Sequence, residues 1–413
     1  MSAKNGSAVK RSRLIGLTVA VMFALTALFA SSASAVNPPV EQTYLVLGDS
    51  LAFGYSQQLF NENLGAGEPA TAFEHGYANG YFAHLKPKLT GTQMQNLGCP
   101  GETTDSLIGN GGLAAAVNPG HAEAPCAYHA VAAEKAGFPA GFHFPLHNEY
   151  GGTKSQLERA LELLGLDAAK GTPVTTLSLN IGANDQLKAV AICEAQAKAE
   201  VGAKIKAKIE KEIGEKLGKG EMTPEEIPAF VAKRSAEEAA NPANKAEGEK
   251  IGQLCIANAA PALGKYIGEK IGTILYVLRE GAKFGSINYT GKVIFVGAYN
   301  PYGNLLAFPN KKELVEGVND EILPGSNFLV SSFNAGFKGA VELFGGCFAD
   351  TKPKFNPQNL FEPARLQKYT NMANATSVEF PPTSGKFLAN GPDIHPTPSG
   401  YLIMKGVMVT TCG

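Results

Sequence analysis

TYLVLGDSL, residues 43–51, decides the fold. Thr43 to Gly48 is a short apolar strand without polar alternation, and Gly48-Asp49-Ser50 ends it with residues that favour a turn. A continuous apolar run suits a strand covered on both faces, as in a parallel sheet between helical layers. Runs of the same kind recur at TQMQNLG (92–98), PVTTLSLNIG (173–182) and KVIFVGAY (292–299). Between them lie helical patterns, the clearest being SQLERALELLGLDAAK (155–170), with Leu157, Leu161, Leu164 and Leu166 largely on one stripe. Strands alternating with helices predict a doubly wound α/β layer fold.

One segment breaks that rhythm. Residues 194–250 contain 11 Lys and Arg and 12 Glu, far above the 18% charged residues of the whole chain. Val201, Ile205, Ile209, Ile213 and Leu217 recur every fourth residue among these charges, the pattern of a solvent-facing amphipathic helix. A second helix is expected from Thr223, with Pro224 at its first position, Glu226 completing a capping box and Pro228 limiting or bending it. A third runs from about Ile251 to Lys283, with Ile267, Ile271, Ile274 and Leu278 as its buried face. Residues 186–283 therefore read as a helical insertion in the α/β core, a candidate lid. The Gly-, Ala-, Pro- and His-rich stretch 110–152 reads as long loops, which in a compact enzyme usually shape a site.

The chain opens with Lys10, Arg11 and Arg13, an apolar run from Leu14 to Ala30, and small residues ending at Ala33-Ser34-Ala35. These are the three parts of a secretory signal peptide, with cleavage expected after Ala35 and a mature chain of 36–413. Export to an oxidising compartment makes the six cysteines, Cys99, Cys126, Cys193, Cys255, Cys347 and Cys412, candidates for three disulfides. Order along the chain favours pairing them consecutively, although six cysteines allow fifteen arrangements. With 36 Lys and Arg against 37 Asp and Glu, there is no basic footprint for nucleic acid. The 44% hydrophobic content excludes general disorder.

The chemistry-bearing residues lie far apart in sequence. Ser50 ends the first strand on a turn, where a nucleophile stands near helix N-terminal amides. Near the C-terminus, Asp393-Ile394-His395-Pro396-Thr397 supplies a histidine able to act as base. No G-x-S-x-G elbow occurs, so the nucleophile is not that of an α/β-hydrolase.

Four ordered blocks, GDSL (48–51), NLGCPGETT (96–104), IGAND (181–185) and DIHPT (393–397), resemble the SGNH (GDSL) family of serine esterases and lipases. The resemblance implies a three-layer, flavodoxin-like α/β fold with a five-stranded parallel sheet. It implies Ser50 as nucleophile and His395 as general base, with an oxyanion hole from the Ser50 amide, the Gly101 amide and the Asn184 side chain. Gly101 is preferred to Gly98 because it precedes the acidic residue and threonines, as the family glycine does. The family's acid lies three residues before the histidine, where this chain has Pro392, and Asp393 lies two before. Either the Asp393 carboxylate or a backbone carbonyl then orients His395. Asp49 is expected to stabilise the turn.

The expected activity is hydrolysis of a small ester or acyl lipid through an acyl-Ser50 intermediate, with no metal or cofactor. The apolar insertion favours lipid and suggests transient contact with a lipid surface. A carbohydrate deacetylase of the same fold and a catalytically silent surface-binding protein are the alternatives. His121, His129, His143, His147 and Cys126 share one loop-rich stretch, but Pro139, Gly141 and Pro145 argue against a helix presenting them to a metal. Asn288 and Asn374 stand in N-x-T sequons.

Overall fold

The computed structural model describes residues 42–56, 73–88, 91–125, 154–301, 322–356, 368–370 and 394–413, with only the backbone of 322–329. The expected signal peptide, residues 1–35, lies outside the described residues. Five strands, β1 (Thr43–Gly48), β2 (Gln93–Asn96), β3 (Val174–Asn180), β4 (Lys292–Val296) and β5 (Cys347–Ala349), form one parallel sheet in the order β2-β1-β3-β4-β5. The helices are α1 (Ser50–Phe53), α2 (Tyr77–Leu85), α3 (Thr104–Ile108), α4 (Gly112–Val117), α5 (Gln156–Lys170), α6 (Ala183–Gly218), α7 (Ile227–Ala240), α8 (Pro242–Arg279), α9 (Ile322–Leu343), α10 (Lys352–Phe355) and α11 (Pro398–Cys412).

Alternation along the strands assigns the helical layers. Leu45 and Leu47, with Leu177, Leu179, Val293 and Phe295, pack against α5, α9 and the C-terminal half of α8. Tyr44 and Val46, with Ile294, Val296 and Ala349, face the opposite layer of α1, α2 and α11. Every residue of β1 is buried, which explains its unbroken apolar run. Each fully buried Leu or Ile contributes about 1.5–3 kcal/mol, so the central strands anchor the fold. The four apolar runs account for β1 to β4. β5 is only three residues long, too short to carry a periodicity in the sequence.

Helix α5 starts where Ser155 accepts the Glu158 amide (3.1 Å) and Glu158 accepts the Ser155 amide (2.9 Å). It ends at Gly171, whose φ of 77° is left-handed. Its buried stripe contains Leu157, Leu161, Leu163 and Leu164, whereas Leu166 is 42% exposed. Leu166 follows Leu157 by two and a half helical turns and so points the other way, which corrects the expected stripe.

The exposed helices also differ from the sequence reading. α6 is one helix of 36 residues that begins at Ala183, before the charged run. Thr223 and Glu226 do form a capping box, but over a 3-10 turn, Pro224–Glu226. Pro228 sits in the first turn of α7, where its missing N–H has no intrahelical role, so it starts the helix rather than bending it. α8 begins at Pro242 under an Asn241 cap (Ala243 amide to Oδ1, 3.0 Å), nine residues earlier than expected. Its second half, with Ile267, Ile271, Ile274, Leu275, Val277 and Leu278 buried, is a layer helix of the core. Gly112–Val117 is helical, against the reading of 110–152 as loops.

Disulfides join Cys193 to Cys255, tying α6 to α8, and Cys347 to Cys412, tying β5 to the end of α11. Cys99 is also disulfide-bonded. Its expected partner, Cys126, lies outside the described residues. No described helix is long and apolar enough to cross a membrane.

Candidate active site

Ser50 is the first residue of α1, at the carboxyl end of β1. Two features put it there. Gly48 adopts φ 134°, and a Cβ at that position would lie 2.0 Å from the Asn180 carbonyl oxygen, so only glycine lets the ends of β1 and β3 approach this closely. The Asp49 amide then donates to the Asn180 carbonyl (3.0 Å), and Asp49 Oδ1 accepts the Leu51 amide (2.9 Å), capping α1.

The Ser50 Oγ lies 2.7 Å from His395 Nε2, across 345 positions of sequence. Several contacts hold the loop carrying the imidazole. Tyr299 Oη donates to the Ile394 carbonyl, and Pro396 bridges to Thr370. The Thr397 amide donates to the Tyr369 carbonyl (3.0 Å), while its Oγ accepts from Gly400 to cap α11 (3.2 Å). The Tyr55 ring meets the imidazole edge-on at 4.6 Å between centroids, and Tyr401 Oη fixes Tyr55 by donating to its carbonyl (2.6 Å). Asp393 lies outside the described residues.

Gly101, with φ 84°, sits in the turn between β2 and α3. Among the described residues, neither the Ser50 amide nor the Gly101 amide has a hydrogen-bond acceptor. The Gly98 amide is instead occupied by Asn96 Oδ1 (2.9 Å), and a Cβ on Gly98 would lie 2.6 Å from the Phe53 nitrogen. Asn184, in the first turn of α6, donates one Nδ2 hydrogen to the Glu102 carbonyl (2.9 Å), leaving its second hydrogen for another acceptor.

Buried polar side chains brace these elements. Gln156 accepts the Gly48 amide through Oε1 (2.7 Å) and donates through Nε2 to the Gly48 carbonyl (2.8 Å) and the Glu102 carboxylate (2.7 Å). Asp185 accepts from the Thr104 amide (3.0 Å) and hydroxyl (2.6 Å), so the residue after Asn184 holds the first residue of α3. Burial pushes the Asp185 carboxyl up, opposed by the two Thr104 hydrogen bonds. Burial likewise pushes the Asp49 carboxyl up to about 7, against the opposing pull of the Leu51 amide and His395.

No protein-family model and no curated protein matches this chain. Among solved structures it is similar to an extracellular lipase from Streptomyces rimosus, at 12% identity and a TM-score of 0.40, over 90% of this chain and 99% of that one. It is similar to a phospholipase A1 from Streptomyces albidoflavus NA297 at 12% identity and a TM-score of 0.42, with the same coverage.

The four sequence blocks thus supply Ser50, Gly101, Asn184 and His395 to one edge of the sheet, where the strands end. The sequence does not single out the bracing residues Gln156, Tyr299, Tyr55, Tyr401 and Thr104. Gln156 and Tyr299 lie in stretches that read as helix and strand, and nothing local distinguishes a polar group that braces a distant turn from one that faces water. Among the described residues, no group of three or more His, Cys, Asp or Glu is placed to hold a metal ion. His121 lies against Tyr266, with Oη and Nδ1 3.2 Å apart. His129, His143 and His147 lie outside the described residues, as does Asn374. Asn288 Oδ1 accepts the Ala282 amide (3.0 Å).

Proposed function

We propose that this protein is a secreted serine ester hydrolase of the SGNH type. The observation that carries the reading is the 2.7 Å contact between Ser50 Oγ and His395 Nε2 at the carboxyl end of β1. Ser50 Oγ attacks the ester carbonyl carbon while His395 Nε2 takes the hydroxyl proton. The oxyanion that forms accepts from the Ser50 amide, the Gly101 amide and the second Asn184 Nδ2 hydrogen. Donors of this kind each contribute about 3–4 kcal/mol to the transition state. His395 then returns its proton to the leaving alcohol, and a water it activates releases the acid and regenerates Ser50.

Asp393, or a backbone carbonyl in its place, holds the other imidazole nitrogen. The two described disulfides suit an oxidising compartment, which fits export through a leader ending near Ala35. For substrate, an acyl ester is favoured by the helices that leave the sheet directly after Asn184. Ile192 on α6 and Leu254 on α8 are 65% and 55% exposed, next to the Cys193–Cys255 bridge. Such side chains suit an acyl chain or lipid surface better than a sugar.

The test is turnover of p-nitrophenyl esters from acetate to octanoate by the mature chain, with Ser50→Ala and His395→Ala as controls. Both substitutions should abolish turnover to a similar degree, because the pair acts as a unit. Undiminished turnover by Ser50→Ala would refute the assignment. Asp393→Ala separates the two orienters: a loss of about ten-fold or less favours the carbonyl, and one approaching 10⁴-fold favours the carboxylate.

A further inference from the structure

The side chain of Asp49 caps α1 with one of its two carboxyl oxygens. Asp49 is 1% exposed, and while Oδ1 accepts the Leu51 amide, Oδ2 is buried with no hydrogen-bond partner among the described residues. A cap needs only one oxygen, and a buried carboxylate with an unused one is costly unless a charge offsets it. Three titratable groups act on it from the surrounding elements. His395 comes from the C-terminal loop, Asp185 from the start of α6, and Tyr77 from α2. Of these only His395 can become a cation, and its imidazole contacts Ser50, the residue bonded to Asp49.

We propose that Asp49 is a positioning residue whose buried carboxylate stabilises the His395 imidazolium formed when Ser50 gives up its proton. The inference rests on the reading of His395 as base. It would act as a second anion, on the residue before the nucleophile, separate from whichever group orients the imidazole. The coupling is reciprocal: the cation favours ionised Asp49 by the same free energy with which ionised Asp49 favours the cation. Asp185 works in the opposite sense on Asp49.

Two measurements test this. In the first, kcat and KM for p-nitrophenyl butyrate are followed from pH 5 to 9 in the wild type, Asp49→Asn and Asp49→Ser. Both variants keep an oxygen to cap α1 and remove the charge. Plateau kcat should fall about threefold or more, and the acidic limb of kcat/KM should move about half a unit or more to lower pH, with KM unchanged. A capping role alone would lower thermal stability without moving the limb.

The second measurement needs no activity. The carboxyl ¹³C resonance of Asp49, assigned by its loss in Asp49→Asn or Asp49→Ser, is titrated in the wild type and in His395→Ala. Its midpoint should rise by about half a unit or more once the imidazole is gone. An unmoved acidic limb together with an unmoved midpoint would overturn the proposal. Should the wild type hydrolyse no ester, the hydrolase reading fails while the ¹³C titration still decides the coupling. Should neither Asp49 variant fold, the wild type and His395→Ala suffice, since a carboxyl titrating near neutrality must move upward between them or the proposal is wrong.

Discussion

Removing the Cys347–Cys412 bridge with a double alanine substitution should cost stability and spare catalysis. The bridge closes a loop with a sequence separation of 65, from the edge strand β5 to the last residue of α11. The chain-entropy relation for a loop of that length gives about 4 kcal/mol at 25 °C, and native bridges of this kind typically cost 2–5 kcal/mol when removed. In the native state α11 has other fastenings. Tyr401, Met404 and Met408 are buried, and Lys292 Nζ donates to the carbonyls of Cys412 (2.6 Å) and Gly413 (2.7 Å). The Tyr401–Tyr55 hydrogen bond ties the N-terminal end of the helix, beside His395, to the Ser50 side of the site. The helix should therefore remain docked in the folded variant, with the imidazole in place. The assay is urea unfolding followed by far-UV circular dichroism, since the chain has no Trp. Ester turnover at 25 °C is measured alongside. A stability loss near 4 kcal/mol with kcat/KM within twofold of wild type is expected. A loss under about 1 kcal/mol, or lost turnover in a variant that is still folded, would refute the reasoning.

Gly98→Ala forces a Cβ to within 2.6 Å of the Phe53 nitrogen and 2.8 Å of the Ala52 carbonyl carbon, so α1 must shift. Thermal unfolding should show a cost of about 1–3 kcal/mol, with turnover reduced about 10- to 100-fold by displacement of Ser50. Gly214→Ala, in an open position on α6, should instead stabilise by about 0.5–1 kcal/mol in the same assay. For Asp49, a folded-state carboxyl raised to about 7 binds a proton that the unfolded chain has already lost above about pH 4. Wild-type stability should consequently fall relative to Asp49→Asn as pH rises from about 4 to 7, by up to about 4 kcal/mol, and the difference should level off above 7 in urea titrations. Replacing 194–250 with a Gly and Ser linker while keeping the Cys193–Cys255 bridge should selectively lower kcat/KM on octanoate over acetate esters. An unchanged ratio in a folded variant would show that these helices do not border the acyl site.

Much of this protein is local and therefore legible in order of residues. The apolar run into Gly48-Asp49-Ser50 specifies a strand ending in a capped turn. Ser155 with Glu158 starts a helix, and Thr223 with Glu226 caps a helical turn, through contacts spanning three residues. The spacing of Cys193 and Cys255, and of Cys347 and Cys412, anticipated both described bridges. Other features exist only once distant segments meet. β5 is a strand because β4 offers it a partner edge, and Leu166 is exposed because packing selects one side of α5. α8 divides into an exposed half and a core half where the sheet's apolar face begins to cover it, although its helical propensity continues through both. That, among the described residues, the Gly101 amide and Asp49 Oδ2 have no partner while the Gly98 amide has one likewise depends on which backbone and side-chain groups lie opposite. Residue order determines which groups are available and how each short segment bends. Only the assembled tertiary structure determines their neighbours, because a hydrogen bond across 345 positions depends on how the elements between Ser50 and His395 pack.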